Sequence, residues 1–187
     1  MDIVLGLEHQ DDYLSACARN ERWAQEVLYK KHYPSMMSVC LRYSNNKEDA
    51  LDILHEGFIK VFRNIDKFRK GTSFNAWIKR VMVNTAIDFY RKKKRRRTED
   101  IDTVLDIRAK TPNAINFMAT QDILNCLQNL SPSYRAVFNL YIIEGYSHKE
   151  IAEKLKISES TSRSNLVKAR SKLRALLIAM SKDYDRG

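Results

Sequence analysis

Ser147-His148-Lys149-Glu150-Ile151-Ala152-Glu153-Lys154-Leu155-Lys156-Ile157-Ser158 is the stretch from which the fold can be read. Ser147 with Glu150 three residues on forms a capping box, in which each residue satisfies an amide N–H that a helix start leaves unpaired. Ile151, Ala152 and Leu155 give the short helix that follows an apolar side. Lys156-Ile157 leaves room only for a tight turn before a serine cap, Ser158 or Ser160, opens a longer helix through about Met180. Leu166, Ala169, Leu173 and Leu176 or Leu177 face inward along it. A capped short helix, a turn of about three residues and a longer helix make a helix-turn-helix pattern. Ala152 suits a close helix–helix approach, and Ile157 fills the angle between the two helices. The outward side of the second helix carries Thr161, Arg163, Ser164, Lys168 and Arg170. Such side chains reach base edges and phosphates when a helix N-terminus enters a major groove.

The helical reading extends in both directions. Ser131-Pro132 predicts a helix start, which Gly145 stops after about Glu144. Before it, a helix restarts at Gln121 with Ile123, Leu124, Leu127 and Leu130 on one face. In the first half a helix is predicted from about Glu21 to Tyr43, on the spacing of Trp23, Val27, Tyr33, Met37 and Leu41, with a bend at Pro34. Asn46 caps the next, whose stripe is Ala50, Leu54, Phe58, Val61 and Phe62. Gly57 sits inside that helix, at a cost of about 1 kcal/mol against alanine. After the loop Phe68-Arg69-Lys70-Gly71-Thr72, Ser73 caps a long amphipathic helix through Phe74, Trp77, Ile78, Val81, Thr85 and Phe89. Periodicity fades from Thr98 to about Thr120, where Glu99, Asp100, Asp102 and Asp106 mark an acidic linker. The expected fold is all-α: two small helical domains, residues 1–97 and 121–187, joined by the linker 98–120, the second holding the helix-turn-helix.

Composition narrows the function. Of the 187 residues, 44% are hydrophobic and 30% charged, and no apolar run reaches the roughly 18 residues of a membrane span. A cytoplasmic protein is expected, neither membrane-spanning nor secreted. Cys17, Cys40 and Cys126 are far apart and form no CxxC pair, so neither a disulfide framework nor a zinc site is predicted, and no metal or cofactor. The absence of a nucleophile–base pairing or a phosphate-cradling glycine loop argues against an enzyme. Net charge is +10, unevenly spread. Residues 1–90 carry 13 basic and 12 acidic side chains, whereas residues 91–97, Arg-Lys-Lys-Lys-Arg-Arg-Arg, carry seven cations in a row. A polyanion such as nucleic acid would offset their mutual repulsion. Upstream, Phe68, Phe74 and Trp77 surround a loop with Lys70 and Gly71, beside Lys79, Arg80 and Asn84. Stacking surfaces next to cations are what single-stranded DNA needs, although helical aromatics are usually core.

Together the two halves resemble an extracytoplasmic-function (ECF) sigma factor of bacterial RNA polymerase, over about residues 11–182. Glu48-Asp49-Ala50-Leu51-Asp52-Ile53-Leu54-His55-Glu56-Gly57-Phe58 resembles the polymerase-binding helix of that family. Phe74-Asn75-Ala76-Trp77-Ile78-Lys79-Arg80-Val81, continued by Asn84-Thr85-Ala86-Ile87-Asp88, resembles its promoter-melting helix. Tyr146 to Leu155, with Thr161-Ser162-Arg163-Ser164, resembles its −35-reading helix-turn-helix.

The resemblance implies a division of labour. Asp49, Asp52, Ile53, Glu56 and Ile59 would dock on the β′ coiled coil of core polymerase. Phe68, Lys70, Gly71, Thr72, Ser73, Phe74, Trp77, Lys79, Arg80, Asn84 and Arg91 would melt the −10 element and hold its non-template strand. Ser160, Thr161, Arg163, Ser164, Val167, Lys168 and Arg170 would read the −35 duplex, while the second domain also holds the β flap. The linker would thread the polymerase channel. An anti-sigma factor, often membrane-bound in the family, is an expected partner.

Four departures carry expectations of their own. His55 stands where glutamine is usual, and Lys156 where glycine is common; a left-handed backbone at Lys156 would cost about 1 kcal/mol. Ser162 replaces an apolar residue, which predicts a recognition helix seated less firmly. Val167 is small for a base-contacting position. Two other readings compete: a helix-turn-helix transcriptional regulator, and an adaptor that docks on polymerase without melting promoters.

Overall fold

The computed structural model describes residues 10–69, 71–99 and 120–184, and these are helical, with no strand among them. In chain order come α1 (Gln10–Ala18), α2 (Arg22–Tyr43), α3 (Lys47–Arg63) and α4 (Phe74–Glu99), then α5 (Thr120–Gln128), α6 (Pro132–Phe138), α7 (His148–Leu155) and α8 (Glu159–Tyr184). The all-α expectation therefore holds. Of the linker, residues 100–119 lie outside the described residues; α4 runs on to Glu99 and α5 begins at Thr120.

Two compact units form, and neither is a single stretch of chain. One takes the described residues up to Cys40 together with Leu51–Thr85; the other takes Leu41–Ala50 and the described residues from Ala86 onward.

The first unit buries Leu28 and Met36 of α2, Ile53, Leu54, Phe58 and Val61 of α3, and Phe74, Ile78 and Met82 of α4. α1, which periodicity did not reveal, adds Tyr13, Ala16 and Cys17. The inward face of α2 follows the expected stripe only in part: Met37 is buried as expected. Ala24, Leu28, His32 and Met36, spaced by four, point inward, whereas Trp23 is 54% exposed. The indole N–H of Trp23 donates to Glu21 Oε2 at 2.7 Å. Helical spacing placed Trp23 on the apolar face, but small Ala24 and polar His32 set the phase. α2 continues through Pro34. Gly57 has a packing reason: a Cβ there would meet Met82 Sδ. The Met82 side chain of α4 thus lies against the backbone of α3 and fills the space a side chain at position 57 would take.

In the second unit, Ser131 caps α6 by accepting from Tyr134 N, with Pro132 at the first helical position. The helix then widens into a π turn, Asn139–Ile143, and stops at Gly145 (φ 76°). Leu127, Leu130 and Ala169 form a buried cluster against which Tyr134, Phe138 and Leu173 pack. Ile123, expected inward with Leu124 and Leu127, is half exposed because α5 buries a narrower face. Ile151, Leu155 and Leu166 complete the interior of the helix-turn-helix.

Candidate functional site

The turn between α7 and α8 is assembled from caps. Ser147 N donates to Glu150 Oε2 (2.8 Å) and Glu150 N to Ser147 Oγ (3.3 Å), which is the expected box. Lys156 is left-handed at φ 55°, ψ 53°, and its N–H bonds Ala152 O. Ser158, rather than Ser160, caps α8: its Oγ accepts from Thr161 N at 3.1 Å. The hydroxyls of Ser160 and Thr161 each lie 2.8 Å from Ser158 Oγ.

Ser162 corrects the expectation of a loosely seated helix. It is fully buried, and its Oγ lies 2.9 Å from His148 Nδ1 at the start of α7. A hydrogen bond replaces the apolar contact, and α8 is tied to α7 by it. The His148 ring stacks on Tyr141 (centroids 4.5 Å apart, planes at 24°), and the Arg170 guanidinium sits 6.0 Å from the Tyr141 centroid. Outside this support Ser160, Thr161, Arg163, Ser164, Lys168 and Arg170 are exposed, as is Val167 at 66%. Arg163 is steered by Glu159, with Nη2 and Oε2 2.8 Å apart. Hydroxyls, cations and one aliphatic side chain therefore share the surface of α8, which is the chemistry of a duplex reader.

The loop before α4 rests on rings. Phe68 meets Phe74 edge-on at 5.1 Å and Trp77 at 5.7 Å, and Phe74 and Trp77 lie 5.5 Å apart. Phe74 is only 2% exposed and packs on His32 from beneath. It cannot stack on a base; it is the floor of the loop. The expected contact at Phe74 is therefore corrected, because the first apolar position of α4 points into the core. Phe68 and Trp77 remain half-exposed. Gly71 turns the chain at φ 85°, Thr72 Oγ1 donates to Arg69 O at 2.8 Å, and Ser73 Oγ caps α4 by accepting from Ala76 N. Lys70 lies outside the described residues. Lys79 is half-buried; Arg80, Asn84 and Arg91 are exposed along α4. Burial pushes the pKa of His32 down, the charge of Lys31 does so to a lesser degree, and a hydrogen bond with Asn75 opposes both.

On α3, Asn46 Oδ1 accepts from Asp49 N at 2.7 Å, which confirms the cap. Asp52, Glu56 and Ile59 are exposed. Ile53 is not: at 1% exposure it points into the core, so it supports that face from beneath. Asp49 is mostly covered, and Lys93 Nζ reaches its two oxygens at 2.9 and 3.1 Å. Lys93 is thereby drawn inward from the basic run, whose Arg91, Lys92, Lys94, Arg95 and Arg96 stay exposed on α4.

Sequence reasoning missed Arg135. It is 1% exposed, with Nη1 donating to Ser44 O at 2.5 Å and Nη2 donating to Asn45 Oδ1. Burial pushes its pKa down to about 10, which Asp49 partly opposes, so it stays charged at neutral pH. Asn139, also buried, donates to Arg42 O at 2.6 Å. Nothing local distinguishes this arginine from a surface one, and its partners lie about ninety residues away in the chain.

Among the described residues no three His, Cys, Asp or Glu side chains gather as a metal site, and no helix is long and apolar enough to cross a membrane.

Residues 28–96 match the family Sigma-70 region 2, and residues 120–173 match Sigma-70, region 4. The RNA polymerase sigma factor SigZ of Bacillus subtilis is 30% identical over 154 residues, covering 81% of this chain and 86% of that protein. The ECF RNA polymerase sigma factor SigE of Mycolicibacterium smegmatis is 32% identical over 163 residues, covering 84% of this chain; the match spans 63% of that relative's length. The sigma factor RpoE of Bartonella quintana, solved in complex with the anti-sigma factor NepR, shares the fold at a TM-score of 0.52 and 22% identity, over 81% of this chain and 95% of that one.

Proposed function

The chain belongs to the ECF sigma factors of bacterial RNA polymerase, and from that premise we propose that it joins core polymerase and directs it to promoters through two DNA-reading surfaces. The observation that carries this reading is the exposed face of α8, held by a doubly capped turn and a buried hydrogen bond. Thr161, Arg163 and Ser164 enter the major groove of the −35 element; Ser160 and Val167 flank them, while Lys168 and Arg170 meet phosphates. At the other element, Phe68 and Trp77 offer ring surface to a base extruded from the −10 strand, above the floor made by Phe74. Thr72, Ser73 and the backbone at Gly71 border that base, and Lys79, Arg80, Asn84 and Arg91 hold the non-template strand. Asp52, Glu56 and Ile59, with Asp49, dock on the β′ coiled coil of polymerase, and α5–α8 meet the β flap.

On this reading residues 1–97 carry polymerase docking and −10 melting, residues 121–187 carry −35 recognition, and residues 98–120 link them. The chain works in the cytoplasm, where the polymerase is. It performs no chemistry itself, because the bond-forming steps belong to polymerase. An anti-sigma factor is its expected antagonist.

The test is transcription by core polymerase on a pool of genomic fragments, with and without this protein. Discrete start sites that depend on the protein, sharing two upstream elements, are expected. Polymerase binding without initiation would instead make it an adaptor. A shift of duplex DNA by the protein alone, without polymerase binding, would make it a regulator.

A further inference from the structure

Five polar links gather on the turn between α2 and α3 and on the helix ends that flank it. Besides the two bonds from Arg135 and the one from Asn139, Arg42 Nη2 lies 3.5 Å from Glu144 Oε1, and Lys93 holds Asp49. Beside them is a cavity of about 170 Å³, lined by Tyr43, Asn45, Asp49, Lys93 and Arg135 among others. The links are hydrogen bonds and ion pairs rather than apolar contacts. Buried charges fix a geometry better than they stabilise it. An interface held by polar contacts around a cavity is specific in register yet easy to open.

We propose that Arg135 is the bolt of an intrachain clasp, which seats α6 on the α2–α3 turn and keeps Asp49 covered until core polymerase displaces it. The proposal rests on the reading of Asp49 as part of the polymerase-docking face. The physical competition is direct. A polymerase surface that contacts Asp49 must displace Lys93, and it must approach the turn that Arg135 and Asn139 already occupy. Free protein is then mostly in a docking-incompetent state, and its apparent affinity for polymerase is reduced by the fraction that is open.

Two measurements on the full chain test this: amide hydrogen exchange at residues 44–49, and affinity for core polymerase by competition titration. Arg135→Gln should speed exchange at the turn about tenfold or more, and should tighten polymerase binding about fivefold, as the open fraction rises. Asn45→Ala, which removes an acceptor on the exposed side of the turn and leaves Arg135 in place, should move both quantities in the same direction. It also serves if Arg135→Gln unfolds the second unit. Unchanged exchange in Asn45→Ala and in folded Arg135→Gln would overturn the clasp, as would faster exchange with unchanged or weaker polymerase binding. Failure of the unaltered chain to bind polymerase at all would sink the functional reading instead, while the exchange measurement still decides whether the clasp exists.

Discussion

The loop around Gly71 and the turn around Lys156 do the same geometric work with different means. Each reverses the chain through a residue at positive φ, 85° at Gly71 and 55° at Lys156. Beneath Gly71 lie the rings of Phe68, Phe74 and Trp77. Beneath Lys156 lie the box of Ser147 and Glu150, the cap of Ser158 and the bond of Ser162 to His148. A glycine turn over an apolar floor is loose in its backbone and firm underneath. A lysine turn between caps is pinned at each end and carries its strain in the middle. On the proposed function, the first suits a loop that admits a base, and the second suits a helix that presents side chains in a fixed frame.

The contrast can be broken at its strongest point first. Phe74→Ala should destabilise the first unit by about 3–5 kcal/mol, as expected for an emptied buried ring; thermal unfolding that leaves the first unit as stable as before would deny Phe74 its role as floor. Arg163→Ala should weaken binding to −35 duplex in the polymerase complex by about 1–3 kcal/mol and relax sequence preference there, with stability unchanged. A loss that is uniform across sequences would reassign Arg163 to a phosphate. Ser162→Ala strips a partly buried imidazole of its partner, and should cost about 1–2 kcal/mol in denaturant unfolding of the second unit. Lys156→Gly should act the other way, raising stability by about 1 kcal/mol as the left-handed strain is relieved; no gain would mean that the caps already absorb it.

The smallest effect is one of pH and belongs to the first unit alone. Burial lowers the folded-state pKa of His32 below its ordinary 6.5. The unfolded chain therefore takes up the proton first as pH falls, and stability declines from about pH 6.5 down through the depressed folded value. A His32→Gln chain should lose that part of the slope, and an identical pH profile for the two would exclude the imidazole as its source.

What was legible in the sequence was local. Ser131, Ser147 with Glu150, Asn46 and Ser73 all cap the helices they were expected to cap, because a cap needs only the residues within one turn. The exposed face of α8 was legible for the same reason, whereas a left-handed backbone at Lys156 was raised only as a condition, by the glycine common at that position in the family. The phase of α2 was not, since a tilt that buries Ala24 and exposes Trp23 is decided by the neighbouring helices. Gly57 read as a helix weakness until Met82 appeared beside it. Ser162 read as a defect, because its partner His148 is fourteen residues back and belongs to another helix. Arg135 was invisible, as its worth lies wholly in a turn far away in the chain.

The α4 helix runs unbroken from Phe74 to Glu99. Its 26 residues rise about 1.5 Å each, so the helix is about 39 Å long. Trp77, at the loop, and Arg95, in the basic run, are eighteen residues apart, or about 27 Å along the axis, which is the rise of about eight base pairs of duplex. A helix with single-strand chemistry at one end and phosphate chemistry at the other acts, on the proposed function, as a ruler. On the proposed function, every promoter this chain opens should carry a footprint on its sugar–phosphate backbone at one fixed interval upstream of the first unpaired base, whatever the sequence between.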